Sequence, residues 1–144
     1  MKIKHILHER HLHPVTIQID LSVLDATHLM VEHNIGSVIV VDKQFRPEGI
    51  LTERDVMHLV ARKKDPAHTR VQDVMSSDLV VGTIDDTIEY YMQVMTQKRI
   101  RHIPIVEEGQ LKAIISIGDV LKSQLKESEV EVRYLKHYFA GVAF

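Results

Sequence analysis

Two short stretches of this 144-residue chain place a hydroxyl three residues ahead of a carboxylate, Thr52-Glu53-Arg54-Asp55 and Ser116-Ile117-Gly118-Asp119. Each follows an apolar run, Gly49-Ile50-Leu51 or Ala113-Ile114-Ile115, and each opens a stretch of helical spacing. The mouth of a helix offers unpaired N–H groups and the positive end of a dipole, so it attracts anions. A hydroxyl there can hydrogen-bond a phosphate, and a carboxylate one turn on can accept bonds from two vicinal hydroxyls and so grip a ribose. The same atoms also form a capping box, Ser/Thr-x-x-Asp, worth about 0.5–2 kcal/mol in a protein that binds nothing. Residue types alone leave both readings open.

The elements that position these motifs are themselves a repeat. Ile35-Gly36-Ser37-Val38-Ile39-Val40-Val41-Asp42 returns 65 residues later as Ile100-Arg101-His102-Ile103-Pro104-Ile105-Val106-Glu107, and Asp55 returns 64 residues later as Asp119. A single deletion in the intervening turn accounts for the change of offset, and such self-similarity outranks any local reading. Val15-Thr16-Ile17 reads as a strand. Ser22 with Asp25 caps a helix whose Val23, Ala26 and Met30 fall at helical spacing, and Asn34 and Gly36 stop it. Two strands follow, Val38 to Val41 and Gly49 to Leu51, and then a helix from Thr52 to Arg62. One unit is therefore β-α-β-β-α. In the second unit Val80-Val81 reads as the opening strand, and Asp86-Thr87 starts a helix whose Ile88, Tyr91 and Met95 repeat the core pattern of Val23, Ala26 and Met30. The expected organisation is a leader over 1–14, one repeat over 15–67, a second over 68–127, and a helical extension over 128–144.

A unit of roughly 60 residues buries only a marginal core, so the two copies are expected to pack face to face. The fold class is α+β, a pseudo-twofold pair of repeats. Beyond it, Leu125, Val132, Leu135 and Phe139 form a narrow apolar seam on a helix, while the charges around them read as a solvated face.

Composition narrows the function classes. With 18 basic and 20 acidic side chains interspersed, the formal charge is −2, and no basic field exists for a nucleic acid. The absence of cysteine excludes disulfides and thiolate chemistry and fits a reducing compartment. No apolar run approaches the roughly 20 residues that span a bilayer, and residues 1–5 lack a signal-peptide apolar region. A cytoplasmic protein that is not an enzyme is expected, since no nucleophile arrangement surrounds any candidate base. His5, His8, His11 and His13 crowd the N-terminus, but their spacing matches no defined zinc pattern.

The repeat resembles the cystathionine-β-synthase (CBS) domain, and the pair resembles a Bateman module from about Val15 to Leu125. The likeness is carried by His33-Asn34-Ile35-Gly36-Ser37-Val38-Ile39-Val40-Val41-Asp42, Gly49-Ile50-Leu51-Thr52-Glu53-Arg54-Asp55-Val56, Lys98-Arg99-Ile100-Arg101-His102-Ile103-Pro104-Ile105-Val106 and Ser116-Ile117-Gly118-Asp119-Val120. The resemblance implies a regulatory module that binds an adenosyl ligand (AMP, ADP, ATP, NAD(H) or S-adenosylmethionine) in the cleft between repeats, with AMP foremost. It implies Asp55 and Asp119 on ribose, Thr52 and Ser116 near phosphate, Arg54, Arg101 and His102 as cations, and Ile103 and Pro104 in an adenine slot. It further implies a homodimer and a regulated protein partner. Gly36 and Ser37 stand where the second repeat has Arg101 and His102, and Ala113 stands where the family often has glycine, so the two clefts are expected to differ.

Overall fold

A computed structural model describes residues 1–126 together with Arg133, Lys136 and His137. The first repeat comprises β1 (Thr16–Gln18), α1 (Val23–His33), β2 (Ser37–Val41), β3 (Pro47–Thr52) and α2 (Glu53–Ala61). The second comprises α3 (Ile88–Lys98), β4 (His102–Glu107), β5 (Gln110–Ser116) and α4 (Ile117–Leu125). Single 3-10 turns at Pro66–His68 and Val71–Asp73 occupy the connection between them. The apolar seam expected beyond Leu125 lies outside the described residues.

The duplication extends to individual hydrogen bonds. Both first helices end on a residue in the left-handed region, Asn34 (φ 52°) and Arg99 (φ 55°), which turns the chain straight into the next strand. The following amide closes the turn in each copy, Ile35 N donating to Met30 O and Ile100 N to Met95 O. Each second helix is tied back to that strand entry, with Glu53 N donating to Gly36 O at 2.9 Å and Ile117 N to Arg101 O at 2.8 Å. These pairs hold each helix mouth beside the start of its neighbouring strand.

β1 runs parallel to β2, and β2 pairs antiparallel with β3. β4 and β5 pair the same way. The second repeat departs at its opening strand: in place of Val80-Val81 pairing as a strand, Gly82 alone bridges Ile105, the counterpart of Ile17 opposite Val40. The exchange of residue sizes explains it. In the first repeat a large strand residue, Ile17, meets a small helix residue, Ala26, and both are buried. In the second, Gly82 faces Tyr91, and a β-carbon on Gly82 would collide with the Tyr91 phenol. Tyr91 fills the place of the missing side chain and is fully buried, with Oη 3.2 Å from both Thr83 O and Asp86 Oδ2. Burial, reinforced by the Asp86 carboxylate, pushes its phenol well above the ordinary tyrosine range. Glycine supplies no side chain to pack, so the strand shrinks to one bridge.

Each repeat has its own core. A third cluster joins them: Ile39, Val41 and Leu111, with Ile50, Leu79 and Ile114 packed against them. Ile50 and Ile114 are equivalent residues 64 apart, as a pseudo-twofold pair requires. Two hydrogen bonds cross the same boundary, from Leu111 N to Phe45 O (2.9 Å) and from Gln110 Nε2 to Gln44 O (3.0 Å).

The N-terminal segment is built into the second repeat. Ile3 is fully buried in its core, Ile3 N and Lys4 N donate to Asp86 O and Ile84 O, and Ile88 N donates to Met1 O. From that anchor the chain passes through a 3-10 turn at Glu9–Leu12, which packs against β5, and enters the first repeat at β1. Among the described residues no helix is long and apolar enough to cross a membrane, and no group of three His, Cys, Asp or Glu side chains is placed to hold a metal ion.

Candidate functional site

Both hydroxyl–carboxylate motifs sit at helix mouths, and both are closed capping boxes. Thr52 N donates to Asp55 Oδ2 (2.9 Å), and Asp55 N donates to Thr52 Oγ1 (3.2 Å). In the second repeat Ser116 N and Ser116 Oγ each lie 2.9 Å from Asp119 Oδ2, and Asp119 N donates back to Ser116 Oγ (3.2 Å). These bonds satisfy the first-turn amides that a helix otherwise leaves open. They also aim the second carboxylate.

Asp119 lines a cavity of about 460 Å³ between the repeats. Ser116, Asp119, His102 and Ile114 come from the second repeat; Asn34, Ile35, Gly36, Ser37 and Ile39 come from the first; and His11, His13, Pro14 and Val15 complete the wall. Of the nine residues expected at a site, the structure brings together His102, Ser116 and Asp119. Thr52 and Asp55 do not line this cavity, and Arg54 and Arg101 are exposed. Ile103 is 1% exposed in the core of the second repeat, and Pro104 pairs with Ile114 across the sheet while its carbonyl accepts from Gly82 N.

The electrostatics are those of one carboxylate among imidazoles. Burial alone would raise the Asp119 carboxyl, but the Ser116 backbone amide, the adjacent His11 ring and the Ser116 hydroxyl outweigh it and hold the group below the ordinary carboxylate value. It is therefore ionised at neutral pH. His102 moves down as well: burial is the main cause, the Asp119 charge opposes it, and Arg101 assists it. At neutral pH His102 is a neutral imidazole, which can hydrogen-bond a ligand without contributing the cationic charge its position in the motif implied.

The residue that sequence reasoning left out is His11. Its side chain is 6% exposed, and Nε2 lies 3.1 Å from Asp119 Oδ1, an ion-pair distance at an angle poor for a hydrogen bond. Nδ1 accepts from His8 N (2.9 Å), so the ring proton sits on Nε2, facing the carboxylate. The sequence signal was the histidine cluster itself, which matched no metal pattern and pointed to no partner.

This cleft between two copies of one unit meets a direct comparison. The family model of the CBS domain matches twice, over residues 3–62 and 71–126. The chain belongs to the CBS-domain family. The mitochondrial CBS domain-containing protein CBSX3 of Arabidopsis thaliana is 34% identical over 127 residues, covering 85% of this chain and 62% of that protein. A shorter relative, the CBS domain-containing protein YhcV of Bacillus subtilis, is 33% identical over 110 residues, covering 76% of this chain and 78% of that protein. The chain thus spans less than two thirds of the Arabidopsis relative's length. Among solved structures, a CBS-domain containing protein from Agrobacterium tumefaciens is 34% identical, with a TM-score of 0.76 over 86% of this chain and 99% of that one. Two more distant CBS pairs share the fold. One, 20% identical with a TM-score of 0.75 over 89% of this chain and 98% of that one, was solved with 5′-methylthioadenosine and S-adenosyl-L-methionine. The other, CBSX2, 22% identical with a TM-score of 0.74 over 88% of this chain and 97% of that one, was solved with AMP.

Proposed function

We propose that this CBS pair is a non-catalytic sensor module that binds an adenosyl ligand in the cavity between its repeats. The observation that carries the reading is the ionised Asp119 carboxylate at the mouth of α4, fixed by Ser116 on a side chain that lines a cavity of about 460 Å³ shared by both repeats. That volume falls in the range of small-molecule pockets, roughly 300–1,000 Å³. The ligands named for the two distant CBS pairs support the adenosyl class. In this reading Asp119 receives ribose hydroxyls, Ser116 and His102 lie near the phosphate, and Ile35, Ile39 and Ile114 offer apolar surface to the base. AMP is the first candidate, ahead of ADP, ATP, NAD(H) and S-adenosylmethionine. Thr52, Arg54, Asp55 and Arg101 form the corresponding second, weaker site, with Ile103 and Pro104 backing an adenine from the core side.

A ligand that binds only the folded state stabilises it by mass action. AMP at about 100 times its Kd is expected to stabilise the wild-type protein by about 2.7 kcal/mol, read as a rise in melting temperature. The same addition should leave Asp119→Ala almost unmoved. A second reading rests on the closed capping boxes: the motifs only cap helices and the cleft serves protein contacts. It predicts that Asp119→Ala melts lower while no adenosyl compound shifts either protein.

The reading includes a homodimer that transmits the ligand's effect to a regulated protein. Val31, Met57 and Val60 are exposed apolar side chains on α1 and α2 (76%, 60% and 59%) that such a contact would cover. Light scattering at the mass of one chain would exclude it.

A further inference from the structure

We propose that the N-terminal strap is a built-in competitor for the ligand: His11 occupies the carboxylate oxygen that a ribose needs, and binding lifts residues 8–12 off the site. The inference rests on the adenosyl-ligand reading above and adds how that site is regulated.

A carboxylate has about four lone-pair positions. Asp119 Oδ2 already takes Ser116 N and Ser116 Oγ, and Oδ1 faces His11 Nε2. A vicinal diol requires two acceptor positions on the side that faces the cavity. His11 stands on that side, and both side chains line the same hollow. The ligand and the histidine therefore compete for one oxygen.

The strap is constructed to give way there. Its N-terminal end is pinned independently, through buried Ile3 and the bonds to Ile84 O and Asp86 O, and its C-terminal end is pinned by β1. Between these anchors the 3-10 turn closes on itself: His11 N donates to His8 O (2.9 Å), His8 N donates to His11 Nδ1 (2.9 Å), and the two rings stack with centroids 5.4 Å apart. Lifting the turn opens these bonds and its packing on β5 while leaving Ile3 in the core. The His11–Asp119 contact it gives up is an ion pair without the directionality of a good hydrogen bond. A contact that a bound ligand replaces is what a ligand-responsive latch requires.

The test is calorimetry with AMP on the full chain and on His11→Ala and Asp119→Ala, together with hydrogen exchange of the wild-type protein with and without AMP. His11→Ala should bind AMP about tenfold more tightly than wild type, the equivalent of one charge-assisted contact no longer displaced. Asp119→Ala should bind at least tenfold more weakly, and AMP should accelerate exchange at the amides of His8 and His11. Equal or weaker binding by His11→Ala overturns the latch while leaving the ribose reading intact, and weaker binding would make His11 a ligand contact. Exchange slowed by AMP overturns the latch even if His11→Ala fails to fold, and binding by none of the three proteins overturns both readings.

Discussion

Tyr91→Ala is expected to lower the free energy of unfolding by about 3–5 kcal/mol, the range for deleting a large aromatic from a core, and a second change, Gly82→Ile, should return part of that loss. Tyr91 is fully buried and packs among Ile88, Met95 and Ile103, so its removal leaves a void in a small domain with few layers of side chains to collapse into it. Gly82→Ile in the wild-type background is also destabilising, because its side chain would enter the Tyr91 ring. Together the two changes recreate the arrangement of Ile17 and Ala26 in the first repeat, where the strand residue supplies the volume and the helix residue yields it. Gly82 has no left-handed backbone angle to preserve, so the isoleucine meets no conformational penalty of that kind. A urea-denaturation cycle over the four proteins measures the coupling, expected to be favourable by at least about 1 kcal/mol. Costs that simply add would show that the two positions do not share one volume.

That exchange also marks where sequence reading succeeds and where it stops. The Ser22–Asp25, Thr52–Asp55 and Ser116–Asp119 capping boxes and the stop at Asn34 are local patterns, set by hydrogen bonds between residues three or four apart, and each is observed. The duplication assigns Val80-Val81 to the opening strand of the second unit. The neighbouring glycine decides otherwise, and its reason is visible only when Gly82 and Tyr91 are set beside Ile17 and Ala26. The site divides in the same way. Ser116 and Asp119 are legible as a motif, but nothing local says which of the two helix mouths lines the cavity between the repeats, nor that His11 would reach Asp119 across most of the chain. Such contacts depend on how the leader packs, and the clue to that packing was the apolar trio Ile3, Ile6 and Leu7, which joins the second repeat's core.

Asp119 should matter more to stability than its counterpart, and the difference should depend on pH in a defined direction. Asp55→Ala removes one capping box at a half-buried position and should cost about 1 kcal/mol. Asp119→Ala removes the acceptor of the Ser116 amide and hydroxyl and leaves the buried His11 Nε2 facing a void, so about 2–4 kcal/mol is expected from the lost cap together with the unpaired donors. Asp119→Asn keeps the shape and one acceptor but removes the charge, so wild type against this variant isolates the ionised form. The folded-state value of Asp119 lies below the ordinary 3.8, because its interactions with Ser116 and His11 outweigh burial. As pH falls, the unfolded chain therefore takes up its proton first. The extra stability of the charged form is complete above the ordinary value and is lost as pH falls through the lowered one. Asp42 and Asp65 are also held low, by Arg46 and by His68 respectively, but both proteins retain them and their contributions cancel in the difference. Urea denaturation at pH 7, 5 and 3, in a His102→Gln background that removes the imidazole coupled to Asp119, should give the same gap between the proteins with and without Asp119→Asn at the two higher values and a smaller one at pH 3. A gap that widens at pH 3 would mean that the carboxyl is favoured in its protonated form in the folded state, and that form could not present Asp119 as an anionic grip for a ribose.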